Sequence, residues 1–185
     1  MIAVIVIVVV LVLIGLWLVA LYNGLVQKRN RVDNAWAQIE VQLKRRHDLI
    51  PNLVETVKGY AAHEAGVFEA VTQARAAAVQ AHGPADQAKA ETALTGALGS
   101  LFAVAENYPQ LRAAEAFTQL QAELSNTETQ IASARRIYNG NVQSYNSRIQ
   151  VFPNSLIAAR GGFDKREYFE IEDPADREPV KVSFS

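Results

Sequence analysis

Cysteine is absent from all 185 residues, which excludes disulfide bonds, thiolate metal sites and a cysteine nucleophile. The single methionine is the first residue, and glycine and proline are sparse, at 10 and 6 residues. Alanine is abundant between residues 61 and 134, so the composition is typical of long helices. The formal net charge of −1 gives no indication of nucleic-acid binding.

Charged side chains are also absent from the first 27 residues, and residues 2–21 are apolar. Twenty helical residues rise about 30 Å, which is the thickness of the hydrocarbon core of a bilayer. In lipid a helix satisfies its own backbone and an isolated strand does not. We therefore predict one membrane-spanning helix, which includes Ile2, Val8, Leu13, Gly15, Trp17 and Leu21.

We expect this segment to remain on the protein as an anchor. No basic residue precedes it, it is longer than the apolar part of a signal peptide, and Leu18-Val19-Ala20 is a poor cleavage site. The first basic residues follow it, and the positive-inside rule then places the N-terminus outside and residues 28–185 in the cytoplasm. We expect three basic residues to set this topology or to contact lipid headgroups: Lys28, Arg29 and Arg31.

Apolar residues recur at helical spacing through most of the remaining chain, which predicts four helices. The first is expected to continue from the anchor through Gly24 to about residue 48, with a turn at residues 48–52 around Pro51. The second helix ends at the helix-breaking residues 81–84, and the third helix runs from about residue 85 to residues 107–109. The fourth spans about 36 residues and ends before Pro153, and a short helix follows at 155–160.

Four helices with short turns predict an all-α chain, in which an antiparallel four-helix bundle of long helices packs with coiled-coil-like seams. The expected segments are an anchor at 1–24, the bundle at 25–160 and an extended tail at 161–185. Alternation at residues 179–184 predicts a strand. A single strand is unstable alone, so it must pair with residues 168–171, a neighbouring subunit or another protein.

No catalytic set is evident in the sequence. His63-Glu64 begins a zinc-protease motif, but Val67 stands where the second histidine belongs. The glutamates at 106, 115, 123 and 128 lack the Glu-x-x-His motifs of a di-metal carboxylate site. We therefore expect no enzymatic activity, no cofactor and no metal.

Polar clusters lie before the predicted turn at residue 48 and late in the fourth helix. Such side chains can fix helix register, or they can contact another subunit, and the sequence does not separate these alternatives. Together with the tail strand they give the candidate subunit contacts Arg45, Arg46, Arg135, Tyr138, Asn139, Tyr145, Val180 and Val182.

Specific motifs along nearly the whole chain resemble the LemA family. They include Ala35-Trp36, Val41-Gln42-Leu43-Lys44-Arg45-Arg46, Asp48-Leu49-Ile50-Pro51-Asn52-Leu53-Val54, Val57-Lys58-Gly59-Tyr60, Ala105-Glu106-Asn107-Tyr108-Pro109, Tyr138-Asn139, Tyr145-Asn146 and Tyr168-Phe169. A small departure is His47, which lies where the family varies. The resemblance implies a single-pass bacterial inner-membrane protein with a cytoplasmic helical bundle. It does not imply an enzymatic activity. Relatives in magnetosome-forming bacteria are implicated in building the magnetosome membrane.

Two functions are consistent with these features. The first is a membrane-anchored scaffold that self-associates into a large homo-oligomer and organises or remodels the inner membrane. The alternative is an adaptor that presents its bundle or tail to a membrane protease or sensor kinase. The expected partners are membrane lipids, other copies of the chain and, for the adaptor, a membrane protein.

Overall fold

The computed structural model describes residues 1–171, and within this range the chain is helical with short connections and contains no strand. Its six helices are α1 (Ile2–Lys58), α2 (Ala65–Gln80), α3 (Gly83–Glu106), α4 (Pro109–Arg112), α5 (Glu115–Gln150) and α6 (Asn154–Gly161). The predictions of an all-helical chain and of one long apolar N-terminal helix are confirmed. The four-helix bundle remains a prediction, and the strand at 179–184, with Val180 and Val182, lies outside the described residues.

The predicted turn at residues 48–52 is wrong, because α1 passes through Pro51 and ends at Lys58. A proline inside a helix cannot donate to the carbonyl four residues earlier, here that of His47. Arg75 Nε donates to this carbonyl oxygen at 2.7 Å and replaces the missing bond. Beyond the proline, Leu53 and Val57 are buried. Tertiary packing and one side-chain hydrogen bond therefore offset the cost of the proline.

The other predicted breaks are confirmed. Residues 81 and 82 separate α2 from α3, and Gly83 has a φ of 77°, which suits a residue without Cβ. α3 ends at Glu106, and α5 has the predicted 36 residues. The four-residue helix α4 was not predicted, whereas α6 covers the short helix expected after Pro153. α1 is also continuous at Gly24, as expected.

The chain divides into two compact units, and α1 and α5 contribute residues to both. The first unit contains residues 1–38 and 136–167, and the second contains residues 39–135 and the described residues from 168 onward.

In the first unit α5 runs antiparallel to α1. Trp36 and Tyr138 stack with ring centroids 5.3 Å apart, and Lys28 Nζ donates to Ser144 Oγ at 2.7 Å. The residue numbers in α5 therefore increase as those of their contact partners in α1 decrease, which defines an antiparallel pair of helices. The chain then turns through α6, and Phe163 meets Tyr22 edge-on at 5.4 Å. The buried side chains between these segments include Leu25, Val32, Val142, Tyr145 and Ile149.

The core of the second unit consists mainly of aliphatic side chains. Helices α1, α2, α3 and α5 all contribute, and Leu111 of α4 also belongs to this core. The apolar residues that recur at helical spacing in α3 form one buried stripe, which includes Leu94, Leu98 and Leu101. The members of this core include Ile50, Leu53, Val57, Phe68, Val71, Leu94, Leu98, Leu101, Phe117 and Leu124.

Candidate functional site

The N-terminal part of α1 exposes apolar side chains on all sides. Residues 1–20 are exposed throughout, and none of the residues in its most apolar 18-residue window is buried. Ile2, Val8, Leu13 and Trp17 are among these exposed residues, Gly15 faces open space, and Leu21 is half-buried. Within the described residues this is one candidate membrane-spanning helix.

The three basic residues that follow the apolar segment differ in their contacts. Lys28 is held by Ser144, and the Arg29 guanidinium lies 5.2 Å from the centre of the Phe163 ring, a cation–π contact. Arg31 is exposed. The structure therefore joins two of them to the folded part of the first unit and leaves Arg31 facing solvent.

Neutral polar side chains of α5 hold the segment that follows α6 against the first unit. Tyr138 donates its hydroxyl proton to the carbonyl of Glu167 at 2.8 Å. Asn146 pairs twice with the backbone of Arg166: its Nδ2 donates to the carbonyl at 2.8 Å, and its Oδ1 accepts from the amide at 2.9 Å. Arg166 also reaches Asp33 at 3.0 Å. This return segment, residues 163–167, thereby obtains the partners that its own irregular backbone lacks.

Burial changes the acidity of two tyrosines in this unit. It raises the pKa of Tyr138 to about 12, because desolvation disfavours the phenolate. The same cause raises the pKa of Tyr145. Both side chains are buried, whereas Asn139 is half-buried on the same helix. Both tyrosines are therefore neutral at physiological pH. Tyr138 packs and donates a hydrogen bond, whereas Tyr145 is a packing group.

The second unit contains a buried ion network around Glu91. Arg46 Nη1 contacts Glu91 Oε2 at 2.8 Å, and Arg46 Nη2 contacts Glu128 at 2.8 Å and donates to Thr95 at 2.9 Å. The other Glu91 oxygen, Oε1, lies 2.7 Å from His47 Nε2. Arg46 is 1% exposed and Glu91 is 0% exposed. We call Arg46, His47, Gln87, Glu91, Thr95 and Glu128 the buried ion network, after its buried centre. Thr95 and Glu128 lie at its exposed edge.

The two carboxylates of the buried ion network are shifted in opposite directions. Burial of Glu91 works against its charge, but the hydrogen bond from His47 and the charge of Arg46 outweigh it, so the pKa of Glu91 is lowered. Burial raises the pKa of Glu128 despite the nearby Arg46. Three helices, α1, α3 and α5, supply these groups, so the network links their register.

Two other candidate contacts have partners inside the second unit. Arg45 forms an exposed ion pair with Glu123, and Arg135 Nη1 donates to the carbonyl of Ile171 at 3.3 Å. The burial of Arg46 matches the register-setting alternative left open by the sequence. Subunit contact remains a prediction, and Arg45 is the more accessible of the two neighbouring arginines.

Sequence reasoning missed Glu91 and Gln87, although a signal was present. The α3 stripe runs through residues 94, 98, 101 and 105, and its backward extension in steps of three and four reaches 91 and 87. Polar residues on an apolar stripe indicate buried hydrogen-bonded groups. Asn146, by contrast, stands out in the sequence only as part of the motif Tyr145-Asn146. Its partner is the irregular backbone of Arg166, which no helical periodicity marks.

Comparisons with known proteins identify relatives of this chain. The chain is 30% identical to the magnetosome protein MamQ of Magnetospirillum gryphiswaldense, over 86% of this chain and 68% of that protein. It is 29% identical to the magnetosome protein MamQ 2 of Paramagnetospirillum magneticum over the same shares. It is 28% identical to protein LemA of Metamycoplasma hominis, over 75% of this chain and 64% of that protein. A family profile matches residues 35–184, well over half of the sequence, and the chain therefore belongs to the LemA family.

Proposed function

We propose that this protein is a single-pass, membrane-anchored helical scaffold that self-associates and organises the bacterial inner membrane. Residues 2–21 are the anchor, the N-terminus lies outside, and the remaining chain lies in the cytoplasm. The observation that carries the proposal is the exposed apolar surface of residues 2–20, which no part of the described chain covers.

An apolar surface of this size is expected to be buried against lipid or protein. Soluble monomers rarely expose contiguous apolar patches above a few hundred Å², and a helix of about 20 apolar residues has the length to cross a bilayer. α1 continues without a break from this segment to Leu25 and Val32, which are buried in the first unit. Lipid around residues 2–21 would therefore fix the membrane position of that unit.

The polar groups of both units support a structural role. In the first unit they hold the return segment, and in the second the charges of Arg46 and Glu91 neutralise each other out of contact with solvent. The similarity to relatives that are named magnetosome proteins adds support. On this basis we propose a scaffold that is not an enzyme and that assembles with copies of itself and with lipid.

The test of self-assembly is the mass of the gently solubilised full chain. We expect discrete particles many times heavier than the 20.3 kDa of one chain, measured by light scattering with correction for detergent and lipid, and visible by electron microscopy. A monomer at every concentration would contradict the scaffold.

Crosslinking in cells separates self-assembly from the adaptor. Because the chain lacks cysteine, Val41→Cys or Val79→Cys creates the one thiol of the protein, at a side chain that is exposed in the second unit. A membrane-permeant bismaleimide should give self-crosslinked dimers. A reproducible heterologous band with no self-crosslink would favour the adaptor instead.

Single cysteines also test the proposed orientation. A membrane-impermeant maleimide added to cells with a permeabilised outer envelope should label a cysteine inserted after Met1, outside the apolar segment, and leave Val79→Cys unlabelled until the inner membrane is lysed. The reverse pattern would contradict the orientation while leaving the anchor itself intact.

A further inference from the structure

The turn between α5 and α6 presents large apolar side chains to its surroundings. Phe152 is 75% exposed, and Val151 and Leu156 are each more than half exposed. They lie within six consecutive residues, and all belong to the first unit. A turn at the end of a helix is ordinarily polar, so this cluster needs a physical cause.

α6 packs beside the end of the proposed anchor. A groove of about 580 Å³ separates them, lined by Leu18, Val19 and Tyr22 of α1 and by Leu156, Ile157 and Arg160 of α6. A Cβ atom built on Gly161 would lie 2.7 Å from the Phe163 ring and 3.5 Å from the Tyr22 ring, so the end of α6 is tightly packed here.

The depth of this groove follows from the helix rise. Leu18 and Val19 lie two to three residues inside the end of the apolar segment 2–21, which is about 3–5 Å at 1.5 Å per residue. Leu156 and Ile157 face the same groove, so they share that depth. Leu156, the member of the exposed cluster that lines the groove, is therefore level with the edge of the hydrocarbon core. The antiparallel pairs Trp36–Tyr138 and Lys28–Ser144, continued along both helices, put Val151 and Phe152 at about the level of Leu21.

We propose that the α5–α6 turn and α6 are a second membrane-embedded element, seated in the cytoplasmic interface of the bilayer. Val151, Phe152 and Leu156 contact lipid acyl chains, acyl chains fill the groove, and Arg160 extends its charged end toward the phosphates. The lipid is the occupant because Leu156 belongs both to the exposed cluster and to the groove, and the opposite wall of the groove is the anchor helix. The inference rests on the membrane-spanning part of the proposed function.

Spin labels on single cysteines test this depth. The full chain lacks cysteine, so Leu18→Cys, Phe152→Cys, Leu156→Cys and Ile137→Cys each carry one label. Ile137 is a matched control: it is an exposed apolar residue of α5 in the same unit, 15 residues before Phe152 and thus about 22 Å along the helix. The variants are reconstituted in phosphatidylcholine–phosphatidylglycerol vesicles, and power saturation measures collisions with oxygen and with a water-soluble nickel chelate.

We expect the oxygen-to-nickel ratio at residues 152 and 156 to match that at residue 18 and to exceed that at residue 137 several-fold. If residue 18 reports lipid while residues 152 and 156 resemble residue 137, the inference is overturned and the anchor stands. If residue 18 reports water, the anchor and the inference both fail. Low collisions with both reagents at residues 152 and 156, with dipolar broadening between labels, would assign the cluster to a second copy and overturn the inference.

Discussion

The two units bury polar side chains for different purposes. In the first unit Tyr138 and Asn146 are neutral, and their partners are backbone groups of the irregular return segment. In the second unit Arg46 and Glu91 are charged, and their partners are mainly side chains on other helices. The first arrangement holds a segment without secondary structure, and the second fixes the register of helices that already satisfy their own backbones.

This difference predicts unequal sensitivity to mutation. A neutral hydrogen bond contributes about 0.5–1.5 kcal/mol net to stability. Loss of one partner from a buried ion pair costs about 3–5 kcal/mol, because the other charge is left unpaired. Substitutions in the buried ion network should therefore destabilise the protein more than substitutions at the return segment.

The largest expected effect is that of Arg46→Leu. It leaves Glu91 buried without its cation, so the free energy of unfolding should fall by about 3–5 kcal/mol. Denaturant unfolding of the full chain in micelles, followed by circular dichroism, measures the change. Arg45→Leu is the control, because its pair with Glu123 is exposed and should contribute about 0–1 kcal/mol. Equal losses of unfolding free energy from the two variants would show that the buried ion pair contributes no more to stability than the exposed pair.

Helix positions could be predicted from the sequence because periodicity and breakers are local. The breaks at residues 81–84 and 107–109 and the length of α5 follow from such signals. The passage of α1 through Pro51 could not be predicted, because it depends on Arg75, which lies 24 residues away and reaches the His47 carbonyl only in the folded state. A local rule fails where a tertiary contact supplies the missing bond.

The candidate site was predictable only in part, for a related reason. The anchor could be predicted from the sequence because a run of 20 apolar residues has few structural interpretations other than a membrane-spanning helix. Arg46 was recognised as a contact residue, but its partner Glu91 lies in an alanine-rich helix and is 45 residues away. Asn146 was noted without its partner, since the backbone of Arg166 carries no sequence signal. Side chains that bind irregular backbone are therefore the least accessible to sequence reasoning.

The second largest effect concerns the two carboxylates on Arg46. The pKa of Glu91 is lowered on folding, so its stabilisation is present above its unfolded pKa of about 4.5 and is lost as the pH falls through the folded value. Glu91→Gln should therefore cost about 1.5–3 kcal/mol at pH 7, which is less than Arg46→Leu because Arg46 keeps its pair with Glu128. The cost should be smaller below pH 4. Unfolding free energies at both pH values measure this.

Glu128→Gln is the matched variant for that experiment, because the pKa of Glu128 is raised. Its stabilising contribution is present below its unfolded pKa and is lost as the pH rises through the folded value. The variant should therefore cost less than Glu91→Gln at pH 7. A larger loss for Glu128→Gln at pH 7 would contradict the assignment of Glu91 as the centre of the network.

A smaller effect is expected for Asn146→Ala in the first unit. The variant removes two neutral hydrogen bonds to Arg166, and water can replace part of them because Arg166 is exposed, so we expect a loss of about 1–2 kcal/mol. Hydrogen exchange should accelerate in residues 163–167. Gln143→Ala, at an exposed position on the same helix, should leave that exchange unchanged. Equal exchange in the two variants would mean that other contacts hold the return segment.

The smallest effect is that of Tyr138→Phe, which removes one hydrogen bond to Glu167 and should cost about 0.5–1.5 kcal/mol at pH 7. The pKa of Tyr138 is raised from 10.0 to about 12, so its contribution is present below pH 10 and is lost as the pH rises toward 12. Stability measured at pH 7 and pH 11 should therefore fall more in the native chain than in the variant, and the tyrosine titration followed by absorbance at 295 nm should lose a step near pH 12. An unchanged titration would mean that Tyr138 is hydrated, and the return segment would then be held by its other contacts, which include those of Asn146 and Asp33 with Arg166.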